Sequence, residues 1–262
     1  MSETVRHIRT MEDFSRACGI SRPTLSKYFY DPESVRPATR KRIEAAQRAH
    51  DFNPSFYAMN MNRDRTRNIG ILVPILSDPF YAEMVRQFEI RCLEAGYRAV
   101  VMNSHGDART EARAIQTLLS LRISGAIMAP IGLESDITAL TRLKEATPTV
   151  LFDAPIAGIF PFVGSDNLQS TALLTDYLCR TGSAPIFLGI PPVNENAHVR
   201  EQGYIEQMQR NGLEPLLVSQ PNPTWEFEQV GYPSLEEMIL RGDCRGATIM
   251  CASDRLAFGA MS

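Results

Sequence analysis

Three carboxylates each follow a short β-rich run of this chain, at positions where they could hold the hydroxyls of a small molecule. They are Asp78, Asp153 and Asp254, and the aromatic Phe80 lies two residues after the first of them. Carboxylates accept hydrogen bonds from the adjacent hydroxyls of a polyol, and an aromatic ring packs against the face of a sugar. Each aspartate could instead cap a following helix, and for Asp166 we prefer that interpretation. The pattern predicts a ligand site built from residues distant in sequence.

No motif typical of an enzyme or a metal site accompanies these carboxylates. The five cysteines are scattered without a C-x-x-C pair, and the four histidines are dispersed. The sequence lacks the G-x-G-x-x-G, G-x-x-x-x-G-K-[ST] and G-x-S-x-G motifs. We therefore predict no catalytic residue, no metal ligand and no cofactor, and we expect the thiols to be reduced.

The elements that must position the carboxylates alternate between β-rich runs and amphipathic helices from residue 68 onward. Such alternation is typical of parallel sheets covered by helices on both faces, in which ligands bind at the carboxyl ends of the strands. Eight strands are predicted to begin near residues 69, 98, 125, 149, 161, 185, 215 and 246, with helices at 80–95, 111–121, 168–180 and 199–211.

The first 53 residues carry a different pattern, that of a small all-α unit. Two helical segments are separated by a turn at Gly19, where a tight connection needs positive φ. The second segment begins at Ser21, whose hydroxyl could cap its first turn, and Pro23 is tolerated there because those amides lack helical partners. This is the pattern of a helix-turn-helix, which predicts DNA binding. The core is expected to comprise Phe14, Ala17, Ile20, Leu25, Val35 and Ile43.

The distribution of charge supports a DNA-binding surface in this N-terminal unit. The chain has a net charge of −3. Residues 1–67 contain 13 Lys and Arg and 8 Asp and Glu, whereas residues 68–262 contain 14 Lys and Arg and 22 Asp and Glu. A basic head on an acidic body places a polyanionic partner at the head. The alternative, that terminal charges serve only solubility, does not explain their position on a helix-turn-helix.

Base edges are read from the start of the second helix of such a unit, where Arg22 can pair with guanine. The hydroxyls of Ser21, Thr24 and Ser26 suit phosphate contacts, which set the register on the duplex. Each of these side chains, and Lys27 with them, could instead belong to a solvated helix face.

Residues 10–63 resemble the head and hinge of the LacI family of bacterial transcription regulators, and the likeness continues through nearly the whole chain. It rests on Ala17-Cys-Gly-Ile-Ser, on Thr39-Arg-Lys-Arg-Ile-Glu-Ala-Ala and on the Asn53-Pro54 pair that begins the hinge. Where many family members carry a polar base-reading residue this chain has Pro23, which shifts specificity onto Arg22 and Lys27. The resemblance implies DNA contacts at Thr10, Ser21, Arg22, Pro23, Thr24, Ser26, Lys27, Ala58 and Met61.

Residues 54–67 resemble the family's hinge helix, which folds when two copies meet in the minor groove and wedges an apolar side chain between base steps. Met61 occupies the wedge position, usually a leucine, and its longer unbranched side chain is more flexible. A plain linker is the alternative, because Asn60, Asn62, Asp64 and Thr66 are polar.

From residue 68 the chain is similar to the family's two-lobed, periplasmic-binding-protein type I body. The resemblance makes Arg200 a ligand-gripping residue, whereas Ala154 stands where many sugar binders have an arginine, so one gripping group is absent. Trp225 could instead belong to the core. The effector contacts implied are Asp78, Phe80, Asp153, Arg200, Trp225 and Asp254.

The predicted fold class is α/β, with a small all-α helix-turn-helix head before a two-lobed parallel α/β body. The head covers residues 1–53, the hinge 54–67 and the body 68–262, whose lobes meet at about residues 164–165. The chain stops soon after the eighth strand, where the family continues, so we expect a truncated chain with an incomplete second lobe.

The predicted function is a sequence-specific transcription regulator, a repressor that binds a palindromic operator as a homodimer and responds to a sugar effector. A nucleobase or other metabolite as effector, and activation in place of repression, are alternatives; a transport-type binding protein or an enzyme on this fold is a weaker one. The start of the chain lacks an apolar signal segment, and its longest apolar stretch, residues 69–76, is too short to span a bilayer. We expect a cytoplasmic protein without membrane association.

Overall fold

The computed structural model describes residues 8, 10–53, 66–156, 158, 160–220 and 222–262. The chain divides into two compact units, Met1–Thr66 and Arg67–Ser262. Most of the predicted hinge, including Ala58 and Met61, lies outside the described residues.

Within residues 10–53 the head is formed by three helices and a short 3-10 turn at Pro32–Ser34. Thr10 caps the first helix by accepting a hydrogen bond from the Asp13 amide at 3.1 Å, and Gly19 ends that helix with a φ of 63°. Ser21 does not act as the predicted side-chain cap, because its hydroxyl pairs with the Thr24 hydroxyl at 2.9 Å. The helices are α1 (Met11–Cys18), α2 (Arg22–Tyr30) and α3 (Pro37–His50).

The head has its own apolar core, closed by stacking of Phe14 on Phe52 with their ring centroids 4.2 Å apart. Five of the six predicted core residues are buried, but the prediction for Ala17 is wrong because it is exposed. The buried stripe of α1 passes through Met11, Phe14 and Cys18, so that Ala17 lies beside it. The buried core comprises Met11, Phe14, Ile20, Leu25, Tyr28, Val35, Ile43 and Phe52.

The described residues of the first lobe form a parallel five-stranded sheet, in the order β2 (Arg98–Asn103), β1 (Asn68–Val73), β3 (Gly125–Met128), β4 (Thr149–Phe152) and β5 (Phe162–Val163). Alternate residues of β1, which lies between β2 and β3, enter two different cores, Leu72 on one face and Ile71 with Val73 on the other. This double burial explains the continuous apolar run in the sequence. The elements are β1 (Asn68–Val73), α4 (Pro79–Glu94), β2 (Arg98–Asn103), α5 (Ala108–Ser120), β3 (Gly125–Met128), α6 (Ile137–Ala146), β4 (Thr149–Phe152) and β5 (Phe162–Val163).

The described residues of the second lobe form a parallel three-stranded sheet, in the order β7 (Leu216–Val218), β6 (Pro185–Leu188) and β8 (Thr248–Cys251). All eight predicted strands are therefore present, and the α/β prediction is confirmed. The chain passes from the first sheet to the second lobe between β5 and the helix that begins at Asn167. The elements are α7 (Asn167–Thr181), β6 (Pro185–Leu188), α8 (Glu195–Arg210), β7 (Leu216–Val218), α9 (Phe227–Arg241), β8 (Thr248–Cys251) and α10 (Asp254–Ala260).

The last elements of the second lobe leave apolar surface exposed. Within the described residues β8 pairs only with β6, so it forms an edge of its sheet. Of the apolar residues near the end of the chain, Leu256 is buried whereas Phe258 and Met261 are exposed. Each helix in the described part of the chain is too short or too polar to cross a lipid bilayer.

Candidate functional site

Helix α2 presents one face to the head core and the opposite face to solvent. Leu25 and Tyr28 are buried. Thr24 is half-buried, with its hydroxyl held by Ser21, and the exposed Thr10 hydroxyl donates to Asp13 Oδ2 at 2.6 Å. The exposed residues of this helix that were predicted to contact DNA are Arg22, Pro23, Ser26 and Lys27.

The guanidinium of Arg22 is held only loosely in the head. Its Nη1 lies 3.7 Å from Oε2 of Glu12, whereas Arg16 donates to the other Glu12 oxygen at 2.8 Å. Arg16 first, and Arg22 after it, lower the pKa of Glu12. Because both arginines are exposed, Arg22 can exchange this contact for a base edge at little expense.

The six residues predicted to contact an effector all line one cleft in the body, with a volume of about 100 Å³. They come from the ends of β1, β4 and β8, from α8 and from the segment after β7, as the strand-end prediction requires. The structure adds seven further lining residues, namely Tyr81, Ile190, Asn194, Asn196, Phe227, Ser253 and Arg255.

Two of the aspartates have structural roles in addition to lining the cleft. Asp78 caps α4 by accepting a hydrogen bond from the Phe80 amide at 2.9 Å. Asp153 has a φ of 65°, in a tight turn closed by the Ala154 amide and the Phe152 carbonyl oxygen at 2.9 Å. A side chain in this left-handed conformation is uncommon, and such residues concentrate at functional sites.

A chain of hydrogen bonds joins the two lobes beneath the cleft. The Tyr81 hydroxyl donates to Asp153 Oδ2 at 2.7 Å, and Asn196 Nδ2 donates to the other carboxylate oxygen at 3.2 Å. Asn167 donates to Asn196 at 3.0 Å and accepts from Nε of Arg200 at 2.9 Å. Arg200 Nη1 then donates to the carbonyl oxygen at 252, at 2.8 Å.

Burial raises the pKa of Asp153, although the Tyr81 hydrogen bond and the charge of Arg200 act in the opposite direction. The pKa of Tyr81 lies well above its ordinary value, because of burial and then the charge of Asp153. Tyr81 therefore remains a hydrogen-bond donor, and its hydroxyl helps to hold the Asp153 carboxylate in place.

Arg255 is the main residue of the cleft that the sequence prediction missed. It is only 8% exposed, and it donates to the Glu228 carboxylate through Nε at 2.8 Å and Nη2 at 2.6 Å. Its Nη1 lies 3.5 Å from Oδ2 of Asp78 in the first lobe, and its guanidinium lies 5.3 Å from the Phe227 ring centroid. Burial lowers the pKa of Arg255, but Glu228 outweighs burial and raises it. In sequence Arg255 is indistinguishable from a surface residue in the first turn of an amphipathic helix.

Trp225 forms a wall of the cleft and stacks on Phe227, with the ring centroids 5.9 Å apart. Its ring packs so closely on the first lobe that a Cβ added to Gly106 would lie 2.3 Å from Trp225 Cδ1. Trp225 also lines a second cavity of about 450 Å³, beside residues that include Glu134 and Glu226. It packs against apolar cores of both lobes, so the ligand and core interpretations of this residue do not exclude each other.

The remaining candidate aspartates occupy different environments. Asp166 caps α7 by accepting from the Gln169 amide at 2.9 Å, as we preferred from the sequence. Asp254 is exposed at the mouth of the cleft, and Ser253 caps α10 through the Leu256 amide at 3.2 Å. In the described part of the chain no group of three or more His, Cys, Asp or Glu side chains could hold a metal ion.

A helix-turn-helix head followed by a two-lobed α/β body with a polar cleft defines a ligand-responsive DNA-binding protein. Residues 10–55 match the family model described as bacterial regulatory proteins, lacI family. Residues 66–262 match the model described as periplasmic binding proteins and sugar binding domain of LacI family. The chain belongs to the LacI family and is a DNA-binding transcription regulator.

Individual relatives agree with this assignment. The chain is 29% identical to the ribose operon repressor of Escherichia coli strain K12 over 252 residues, which cover 95% of this chain and 76% of that protein. It is 27% identical to the HTH-type transcriptional repressor CytR of the same strain, over 97% of this chain and 74% of the relative. The crystal structure of the lac repressor dimer bound to operator and the anti-inducer ONPF has a TM-score of 0.77 at 21% identity, covering 96% of this chain and 76% of that one.

Proposed function

We propose that this regulator is a repressor that binds a palindromic operator as a homodimer and is controlled by a sugar bound in the cleft of its body. It acts in the cytoplasm and carries out no enzymatic reaction. The exposed face of α2 is the observation that carries this proposal, because it presents Arg22 and Lys27 on a head whose small core is complete in itself.

Contact with DNA is supported by the chemistry of that face and of the rest of the head. Arg22 can donate two hydrogen bonds to guanine, and the exposed hydroxyls of Ser21 and Ser26 can donate to phosphates. The excess of basic residues in residues 1–67 supplies the sequence-independent part of the affinity. Dimer formation is proposed because one such head reads only a short half-site, and because the similar lac repressor is a dimer on its operator.

Control by a sugar is supported by the residues that meet in the cleft. Asp78, Asp153 and Asp254 supply acceptors for hydroxyls, and the rings of Phe80 and Trp225 supply apolar faces. Since the cleft is lined by both lobes, a ligand there can favour one arrangement of the lobes over another, which is what regulation of operator binding requires. The similar ribose operon repressor, by its name, represses an operon named for the sugar ribose.

Fluorescence anisotropy with fragments of genomic DNA tests DNA binding directly. We expect a subset of fragments to bind, with an affinity that falls steeply as salt increases because counterions are released from the DNA. The matched control is residues 67–262 alone, which form a compact unit and should not bind. Equal binding by the two proteins would refute the assignment of DNA contacts to the head.

Selection of bound fragments, followed by a reporter assay, tests repression and effector control. A repressor should lower expression from a promoter that carries the selected operator, and a cleft-binding sugar should change the operator affinity. An increase in expression would identify an activator. Control by nucleobases in place of sugars would replace the proposed effector class.

A further inference from the structure

We propose that the cleft selects its effector by charge. It accepts an uncharged or amine-bearing polyol that presents hydrogen-bond donors, and it rejects phosphorylated and acidic sugars, with Asp78 as the residue that sets this selectivity. This inference rests on the proposed role of the cleft as the effector site.

Both cationic side chains of the cleft are already bound by groups of the protein. Arg255 makes two hydrogen bonds to the Glu228 carboxylate, and its Nη1 lies 3.5 Å from the Asp78 carboxylate. One guanidinium thus faces two carboxylates. Arg200 donates to the Asn167 side chain at 2.9 Å and to a backbone carbonyl at 2.8 Å. An anionic ligand would have to displace one of these partners before it could pair with either arginine.

The carboxylates of the cleft outnumber its cations. The charged residues that line it are Asp78, Asp153, Asp254, Arg200 and Arg255, three acids against two bases, and Glu228 adds a fourth carboxylate behind Arg255. Among the described residues neither Asp153 nor Asp254 forms an ion pair. A phosphate or carboxylate placed here would therefore meet a negative potential, whereas an ammonium group would be attracted.

The cleft groups that can still form a hydrogen bond with a ligand are also acceptors. Oδ1 of Asn194, a residue only 4% exposed, is buried without a hydrogen-bond partner in the described part of the chain. The Asn194 oxygen has almost no accessible surface, so a ligand reaches it only after the side chain moves. The exposed Asp254 carboxylate can accept directly from a ligand hydroxyl or amine, whereas an ionised phosphate offers only acceptors. A buried acceptor without a donor is unfavourable, so the better ligand is the one that supplies the donor.

Asp78 sets the selectivity because it contributes both to the negative charge of the cleft and to the binding of Arg255 by groups of the protein. It supplies one of the excess negative charges, and it occupies the one Arg255 nitrogen that does not contact Glu228. The substitution Asp78→Asn removes the charge and retains a residue that caps a helix equally well. It brings the lining charge to two acids and two bases and weakens the hold on Arg255.

The test uses Trp225, the single tryptophan of the chain, whose ring lines the cleft. Quenching of its fluorescence by caesium and by iodide is measured at constant ionic strength. Each quenching constant is divided by the constant for free N-acetyltryptophanamide, and acrylamide serves as the uncharged quencher. We expect caesium to be favoured over iodide by about twofold or more, because negative surroundings concentrate cations. Trp225 also lines the cavity beside Glu134 and Glu226, so the contribution of the cleft is the part of this preference that Asp78→Asn removes. Asp78→Asn should move this ratio toward iodide. Asp166→Asn, at a helix cap outside the cleft, should leave it nearly unchanged.

Calorimetry on the full chain provides a second arm with matched ligands: ribose and ribose 5-phosphate, fructose and fructose 1-phosphate, and glucose, glucosamine and glucose 6-phosphate. We expect every phosphorylated sugar to bind more weakly than its parent. Iodide quenching equal to or greater than caesium quenching, a quenching ratio unchanged in Asp78→Asn, or binding of any phosphorylated sugar at least as tight as that of its parent would overturn the proposal. Neither arm uses DNA, so a chain that failed to bind an operator would disprove the proposed function and leave this result unaffected.

Discussion

Asn196 in the second lobe donates a hydrogen bond to Oδ1 of Asp153 in the first lobe, with the two atoms 3.2 Å apart. The same amide nitrogen lies 3.1 Å from the backbone carbonyl oxygen of Asp153. One side chain thus holds both the carboxylate and the left-handed backbone that presents it. The position of Asp153 consequently depends on the arrangement of the lobes, and a ligand that binds Asp153 must respond to that arrangement.

Removal of either charged end of this network should abolish the effector response. We expect Asp153→Asn and Arg200→Ala to weaken effector binding by about 2–5 kcal/mol, the typical loss when a buried charged partner is removed. Asn is chosen at position 153 because it tolerates positive φ. The measurement is the effector-dependent change in operator affinity, and the matched control is Arg210→Ala, which removes an exposed arginine from the same helix. A normal response in both cleft variants would show that the ligand binds elsewhere.

Arg22→Ala should relax base preference at one position in each half-site. The expected loss is about 1–3 kcal/mol for the preferred base, because a bidentate pair with guanine is lost. Selection of random DNA by the wild type and the variant gives the two sequence preferences. Lys41→Ala, an exposed charge on α3, is the control and should at most weaken binding to all sequences alike. Identical preferences for wild type and Arg22→Ala would remove Arg22 from the base-reading residues.

Glu111→Gln should change how stability depends on pH. Burial raises the pKa of Glu111 above its ordinary value of 4.5, against hydrogen bonds from the Ile131 amide and Ser135. The folded state then binds more protons than the unfolded state. The free energy of unfolding should therefore decrease as the pH rises from 4.5 through the raised pKa, by about 1.4 kcal/mol for each unit of the shift.

Urea denaturation between pH 4 and 8 measures this effect as the difference between variant and wild type. The stability of Glu111→Gln relative to wild type should increase across the interval. Glu83→Gln is the control, because hydrogen bonds from Arg86 and Gln87 lower the pKa of Glu83 to about 2, so its stabilising effect is lost only below pH 4.5. A difference for Glu111→Gln that is independent of pH would mean that this carboxyl titrates normally in the folded protein.

Gly106→Ala should force Trp225 away from the first lobe. A Cβ at this position would lie 2.3 Å from Cδ1 and 2.7 Å from Cγ of the indole. Gly96 is a matched control, since its φ of 75° resembles the 67° of Gly106 and an added Cβ meets nothing closer than 3.8 Å. Both substitutions should destabilise the body by about 1–3 kcal/mol through backbone strain. Only Gly106→Ala should shift Trp225 emission and increase its quenching by acrylamide; equal emission in the two variants would contradict the packing described here.

The exposed end of the second lobe should promote self-association beyond a dimer. Within the part of the chain that the structure describes, strand β8 is a sheet edge whose outer backbone groups lack a neighbouring strand, and Leu240 and Met261 are 81% and 74% exposed. Leu240→Glu and Met261→Glu should lower the association seen by light scattering, whereas Leu93→Glu in the first lobe serves as the control. A monodisperse wild-type profile, with one cooperative thermal transition across both lobes, would overturn this prediction.

Local patterns in the sequence were sufficient to predict the strands and the residues at their ends. Asp78, Asp153 and Asp254 could be brought to one edge because parallel strands deliver their carboxyl ends together. The sequence did not show which aspartates cap a helix and which line the cleft. These two roles do not exclude each other, since Asp78 has both. Asp166, by contrast, only caps.

The features that escaped prediction depend on tertiary contacts. Arg255 enters the cleft because Glu228 and Asp78 receive it, and Glu228 is 27 residues away in the chain. Asn167 and Asn196 belong to the site because they hydrogen-bond to each other and because Asn167 also accepts from Arg200, contacts that are formed only in the folded chain. The prediction that Ala17 is buried was wrong for a simpler reason. In a helix of only eight residues, spacing alone does not define which residues lie at the edge of the buried face.

The small volume of the effector cleft has a consequence for the kinetics of binding. The cleft volume of about 100 Å³ lies well below the roughly 300–1,000 Å³ that is usual for pockets that bind small organic ligands. A sugar cannot enter this arrangement until the lobes separate and release Asp78 from Arg255 and Asp153 from Asn196. The observed association rate should therefore approach a plateau at high sugar concentration, and the plateau is the rate at which the empty cleft opens.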